Sequence, residues 1–286
     1  MQNQIESDRG NHRRFGNRPG VSRSWVAVGA LAAALAGSTS VGRAALSVYE
    51  PFNYTVSGTV SGKSGSGSFG FSTAWSGGSA TATISTGSLP GTSSIGNKAT
   101  MAANSLTTPL SRTLTSSLGA SSGTTYISFL LRPEATVGTS SAELRLFNGT
   151  SYAGFGLNSN SGAYLIDQNG TAQTASSSTA TVNSPVLLVL KAVFVAGASA
   201  DTFSLFYNPA ASSTEGVASA TRSFDIGTVT SLQIGGNLGF SIDEIKIGSA
   251  YADVVPEPST YLAAGTVALM VGGQWFIRRR RNSAQK

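Results

Sequence analysis

The residues able to do chemistry in this 286-residue chain are few, and nearly all are acids. There is no cysteine, and the single histidine is His12, so thiol, disulfide and Ser-His relay chemistry are absent from the body of the chain. Between positions 45 and 258 lie eleven Asp and Glu and eight Lys and Arg, a net charge of −3. The overall +6 therefore belongs to the two ends and is no sign of a nucleic-acid partner. Carboxylates could act as a glycosidase pair, which needs two of them roughly 5 Å apart across a cleft. No run of the form Glu-x-Asp-x-x-Glu exists. Asp243 and Glu244 are adjacent, which on a strand sends them to opposite faces, and Glu134 and Glu143 are nine apart across a loop. No catalytic residue is assigned, and the expectation is a non-enzyme. Asp243 reads as a carboxylate that binds backbone amides or an arginine. The alternative is calcium, with Asp167, Asp201 or loop carbonyls completing the six to eight oxygens it needs. No metal ligand is assigned on that basis, and no other cofactor is expected. Trp75, Tyr126, Tyr152 and Tyr164 could stack on sugar rings, although aromatics in strands more often fill cores.

The elements that would position these residues are strands. Residues 124–132 are β-branched and aromatic and stop at Pro133. Residues 142–147 alternate Glu143, Arg145 and Phe147 against Leu144 and Leu146, the pattern of a half-buried strand. Short strands are expected at 152–157, 163–167, 202–207, 231–234 and 240–247. The apolar run 185–196, broken only by Lys191, suggests a strand buried on both faces. The Gly/Ser-rich stretch 57–94 carries Phe69, Phe71, Trp75 and Ile84, too many aromatics for a spacer, and reads as strands joined by glycine-rich turns. Asn148-Gly149 and Asn169-Gly170 read as hairpin turns and not as glycosylation sequons. The expected fold is all-β, a two-sheet antiparallel sandwich spanning 45–253.

Both ends read as targeting segments. Arg9, Arg13, Arg14, Arg18 and Arg23 precede a thirteen-residue apolar stretch, 25–37, and small residues follow, with Gly42 and Ala44 placed for cleavage before Ala45. Residues 1–44 thus read as a secretory signal peptide. At the other end come a linker at 254–260, an uncharged seventeen-residue run at 261–277 and a basic tail at 278–286. As a helix the run would be roughly 25 Å long at 1.5 Å per residue, enough for a slightly thinned bilayer. Arg278, Arg279, Arg280 and Arg281 would stop transfer and hold the tail in the cytoplasm.

Pro256-Glu257-Pro258, the apolar run and the arginine cluster together resemble the PEP-CTERM sorting signal of exported bacterial proteins. That resemblance implies recognition by an exosortase-type processing enzyme, with anchorage in the inner membrane before release to the cell surface or the outside. A second resemblance rests on Val48-Tyr49-Glu50-Pro51-Phe52-Asn53-Tyr54, on residues 187–194 followed by 201–209, and on the closing Ile242-Asp243-Glu244-Ile245-Lys246-Ile247. These are similar to the concanavalin A-like lectin/glucanase jelly roll of the laminin-G-like kind. The resemblance implies that the first and last strands lie side by side, and a partner among extracellular polysaccharides. The expected function is that of a non-enzymatic matrix or biofilm protein, carbohydrate-binding or structural. A glycoside hydrolase or lyase of the same fold is the alternative.

Overall fold

The computed structural model describes residues 46–255 apart from 57, 79–81, 91–95, 105, 137–139, 158–161 and 211–213. The signal segment, the Pro-Glu-Pro motif, the apolar run and the arginine cluster lie outside the described residues. Among the described residues no helix is long and apolar enough to cross a membrane.

Within the described residues fifteen strands form two wholly antiparallel sheets. In chain order the first five are β1 (Val48–Glu50), β2 (Ser76–Gly77), β3 (Ala82–Thr86), β4 (Asn97–Met101) and β5 (Leu106–Leu118). The next five are β6 (Gly123–Pro133), β7 (Ala142–Phe147), β8 (Tyr152–Leu157), β9 (Ala163–Gln168) and β10 (Ala172–Thr179). The last five are β11 (Val186–Phe194), β12 (Asp201–Tyr207), β13 (Ala220–Phe224), β14 (Val229–Gly236) and β15 (Phe240–Gly248). A short helix, α1 (Tyr251–Val254), follows. The eight-stranded sheet runs β13-β12-β11-β6-β15-β4-β3, with β1 also on β15, and the seven-stranded sheet runs β10-β9-β8-β7-β14-β5-β2.

The alternation read in the sequence decides which face of each strand is buried. Leu144 and Leu146 of β7, Phe155 of β8 and Leu232 of β14 meet Phe129 and Leu131 of β6, Leu188 and Leu190 of β11 and Ile245 of β15 in one core between the sheets. The structure is thus a sandwich built from the inner faces of both sheets. The first strand lies beside the last, Glu50 opposite Ile245, as the resemblance implied. Both Asn-Gly pairs sit in hairpin connections, β7 to β8 and β9 to β10, and Asn169 and Gly170 both have positive φ, as a type I′ turn requires. The strand at 186–194 is buried on its inner face, but Leu187, Lys191 and Val193 are only half-buried on the outer one. What covers that outer face is small: Tyr251, Val254 and Val255 pack on Tyr126, Val189 and Phe206, and the Ser128 hydroxyl donates to the Val254 carbonyl at 2.8 Å.

The closing strand carries a bulge. Its register against β6 slips between Asp243 and Lys246, and Glu244 takes a positive φ of 55°. The extra residue lets Phe240 and Ile242 point inward before the slip and Ile245 and Ile247 after it, which explains why the sequence parity breaks at Ile242. Glu244 is held there by the Tyr49 hydroxyl at 2.8 Å and the Lys246 ammonium at 2.9 Å.

Candidate functional site

The outer face of the seven-stranded sheet carries a polar row that crosses every strand of it. Register places Ser76 of β2, Ser111 of β5, Gln233 of β14, Arg145 of β7, Gly154 of β8, Asp167 of β9 and Gln173 of β10 side by side. Six interstrand spacings of about 4.8 Å make the row roughly 29 Å long. The adjoining row brings Thr113, Ser231, Phe147 and Tyr152 together.

At its centre the row depends on glycine. β8 presents Gly154 and Gly156 outward, so no side chain stands between β7 and β9. Glu143, opposite Gly156, leans across the gap, and a Cβ at Gly154 would lie 3.0 Å from its Oε2. There its carboxyl lies against that of Asp167, close enough for each to act on the other's proton affinity. Glu143 is 2% exposed and Asp167 fully buried. The Arg145 Nε donates to Glu143 at 2.9 Å, and its guanidinium stacks on the Tyr152 ring at 4.2 Å. The Gly170 amide donates to Asp167 Oδ1 at 2.6 Å, while Asp167 Oδ2 is buried with no amide, hydroxyl or cation to bind it. Both carboxyls are raised, chiefly by burial, so a proton held between them is expected to fill that place. Burial is the main reason Glu143 is pushed up to about 7; Asp167 adds to the shift and Arg145 opposes it.

This predicts a pH dependence. The Glu143 carboxyl titrates near ~4.3 when unfolded and about 7 when folded, so the native state binds more protons between those values. Its stabilising effect is fully present below about pH 4 and is lost as pH rises through 7. Asp243, raised to about 7 chiefly by burial, acts in the same direction. Urea midpoints should therefore fall from pH 5 to pH 8. Glu143→Gln can still donate to Asp167 but cannot titrate, so it should flatten part of that slope. A slope unchanged in the variant would contradict the shared proton.

The other candidate residues go elsewhere. Asp243 accepts the amides of Leu89 at 3.0 Å and Glu244 at 2.9 Å, so it serves the backbone, the first of its two readings. Asp201 accepts the amides of Val195 and Ile226. These two lie in the eight-stranded sheet and Asp167 in the other, and no group of three or more acids able to hold a metal forms among the described residues. Glu134 pairs with Arg132, remote from Glu143. Trp75, Tyr126 and Tyr164 are buried, and of the four aromatics only Tyr152 keeps a half-exposed ring. Between the sheets, Glu50 accepts from Tyr54 at 2.7 Å, Trp75 at 2.9 Å, the Phe52 amide and the Arg112 guanidinium, all buried. That network is structural.

No protein-family model matches the chain, and no curated protein matches it. Solved structures give partial likenesses. The globular domain of T. cruzi calreticulin is 14% identical with a TM-score of 0.43, over 73% of this chain and 90% of that one. Domain 4 of AbnA, a GH43 extracellular arabinanase from Geobacillus stearothermophilus solved with arabinotriose, is 13% identical at 0.39, over 73% and 94%. The carbohydrate-binding module CBM66 from Bacillus subtilis is 11% identical at 0.32, over 54% and 87%. Likenesses this weak carry no functional argument, which leaves the chain's own side chains to indicate its role.

Proposed function

We propose that this chain is a non-enzymatic glycan-binding module, a jelly roll of the concanavalin A-like kind, exported and sorted to the cell surface as a matrix component. The observation that carries the binding role is the polar row flanked by Tyr152. Planar amides at Gln233 and Gln173 and the Arg145 N–H groups not bound to Glu143 can grip neighbouring hydroxyls, and the half-exposed part of the Tyr152 ring that Arg145 leaves uncovered can stack on a sugar face. At roughly 29 Å the row suits an oligosaccharide rather than a single sugar. The one close carboxyl pair on this face speaks against hydrolysis. Retention needs about 5–5.5 Å between carboxyls and inversion about 6.5–9.5 Å, with a substrate between them, whereas Glu143 and Asp167 lie against one another and are buried. Incubation of the purified protein with a panel of polysaccharides tests this reading. Retention without release of reducing ends is expected; turnover abolished by one carboxylate substitution would make the protein an enzyme.

The sorting role rests on the C-terminal signature, Pro256-Glu257-Pro258 followed by the apolar run and Arg278 to Arg281. The basic cluster would hold the tail inside while the domain stands outside. In cells that contain the processing enzyme, the surface-released protein should lack 261–286. Glu257→Ala, which leaves the span and arginines intact, should trap a larger membrane-bound form. Intact-mass spectrometry reads both, and a released species ending at Lys286 would contradict the sorting role.

A further inference from the structure

On the eight-stranded sheet, away from the Tyr152 face, lies a depression of about 460 Å³ bordered by Lys98, Thr100, Met101, Arg132, Glu134 and Ala135. Its polar groups are arranged by register. Thr100, Ser241 and Arg132 lie side by side on β4, β15 and β6, and Lys98 stands two residues before Thr100 on the same face of β4. The Thr100 and Ser241 hydroxyls bond at 3.0 Å, and Ser241 also binds Glu134.

The charges do not balance by pairing. Arg132 turns Nε and Nη2 to a single oxygen of Glu134, at 3.0 and 2.5 Å, which uses two of its five N–H groups. Lys98 forms no ion pair among the described residues. Its ammonium is fixed instead by two neutral carbonyls, Thr86 at 2.7 Å and Gly87 at 2.9 Å, which leaves one N–H. Both cations border the same depression, and burial first and Arg132 second disfavour the charge on Lys98. Glu134 and Asp243 act the other way on Lys98. However, Asp243 is buried and takes the amides of Leu89 and Glu244. A preordered ammonium, spare guanidinium N–H groups, the Thr100 hydroxyl and the apolar rim of Ala102, Ala103 and Ala135 suit a ring that bears a carboxylate.

We propose that this depression is a second ligand site, which takes the carboxylate of an acidic sugar such as a uronic acid residue between Lys98 and Arg132. The site shares no residue with the row that carries the proposed function, so each can fail without the other. Calorimetric titration of the full chain with an oligogalacturonate, beside a neutral oligosaccharide of matched length, tests it. Lys98→Met and Arg132→Met should each weaken oligogalacturonate binding about ten-fold, or about 1.4 kcal/mol, and leave neutral binding unchanged. Lys98→Gln, one bond shorter, removes the charge but keeps a neutral N–H donor, and an unchanged urea midpoint guards against misfolding; it should weaken binding similarly. Lys63→Met, outside the depression, should change nothing. Absence of oligogalacturonate binding by the unaltered protein would overturn the proposal. So would equal binding by Lys98→Met, or a loss confined to Tyr152→Ala.

Discussion

Glu50→Ala is expected to cost about 3–5 kcal/mol, the usual penalty for removing one partner of a buried ion pair. A typical domain has only ~5–15 kcal/mol of stability, so the variant should be close to unfolding. Glu50 is fully buried and Arg112 4% exposed, and the guanidinium lies 4.1 Å from the Phe71 ring with its Nε on the Thr73 carbonyl at 2.8 Å. Without the carboxylate, that charge stays between the sheets with no counter-ion. Tyr54 and Trp75 lose their acceptor as well, and the Phe52 amide, at a residue of positive φ, loses its tether. Replacing both charges with apolar residues, as in Glu50→Leu with Arg112→Met, should recover most of the loss, because no buried charge is then stranded. Urea unfolding of the single and double variants decides this. A single variant that loses less than about 1 kcal/mol would show the network to be dispensable.

Ile245→Ala should cost about 2–5 kcal/mol, since Ile245 is fully buried in the core just beyond the bulge. Lys246 has the opposite parity. A fully solvated lysine there would cost under about 0.5 kcal/mol to remove. The structure gives it more to do, because it pairs at 2.9 Å with the nearly buried Glu244 that holds the bulge. Lys246→Ala should therefore cost about 1 kcal/mol, less than Ile245→Ala but measurable. Equal losses in the two variants would mean that the register of β15 is wrong.

What could be read from the sequence was whatever leaves a local pattern. The alternation in 142–147 gave β7 with its inward leucines, and Asn-Gly marked two turns. The inward parity of Ile245 and Ile247 breaks at Ile242, a pattern that fits a bulge or a strand entry alike, and the positive φ of Glu244 decides for the bulge. Several strands, β4, β5, β10 and β13 among them, left no such trace. β10 is Ala-Gln-Thr-Ala-Ser-Ser-Ser-Thr, with no apolar face to alternate. β5 contains Pro109, which argues against a strand interior, and β13 is a short edge strand. The charge networks were illegible for another reason. Glu50 and Arg112 are sixty-two residues apart, and Glu143 and Asp167 meet because β8 places Gly154 and Gly156, with no side chains, between them. The alternate glycines of Tyr152-Ala153-Gly154-Phe155-Gly156 were the available clue. Two outward glycines on a strand mark a place where neighbouring side chains can close over the backbone.

The central claim is that the outer face of the seven-stranded sheet binds glycan through the row centred on Arg145 and flanked by Tyr152. The most direct test is the dissociation constant of the retained polysaccharide for the unaltered protein and for Tyr152→Ala, each confirmed folded by its urea midpoint. Loss of one stacking ring should weaken binding about ten-fold, or about 1.4 kcal/mol. Undiminished affinity in a folded Tyr152→Ala protein would contradict the claim.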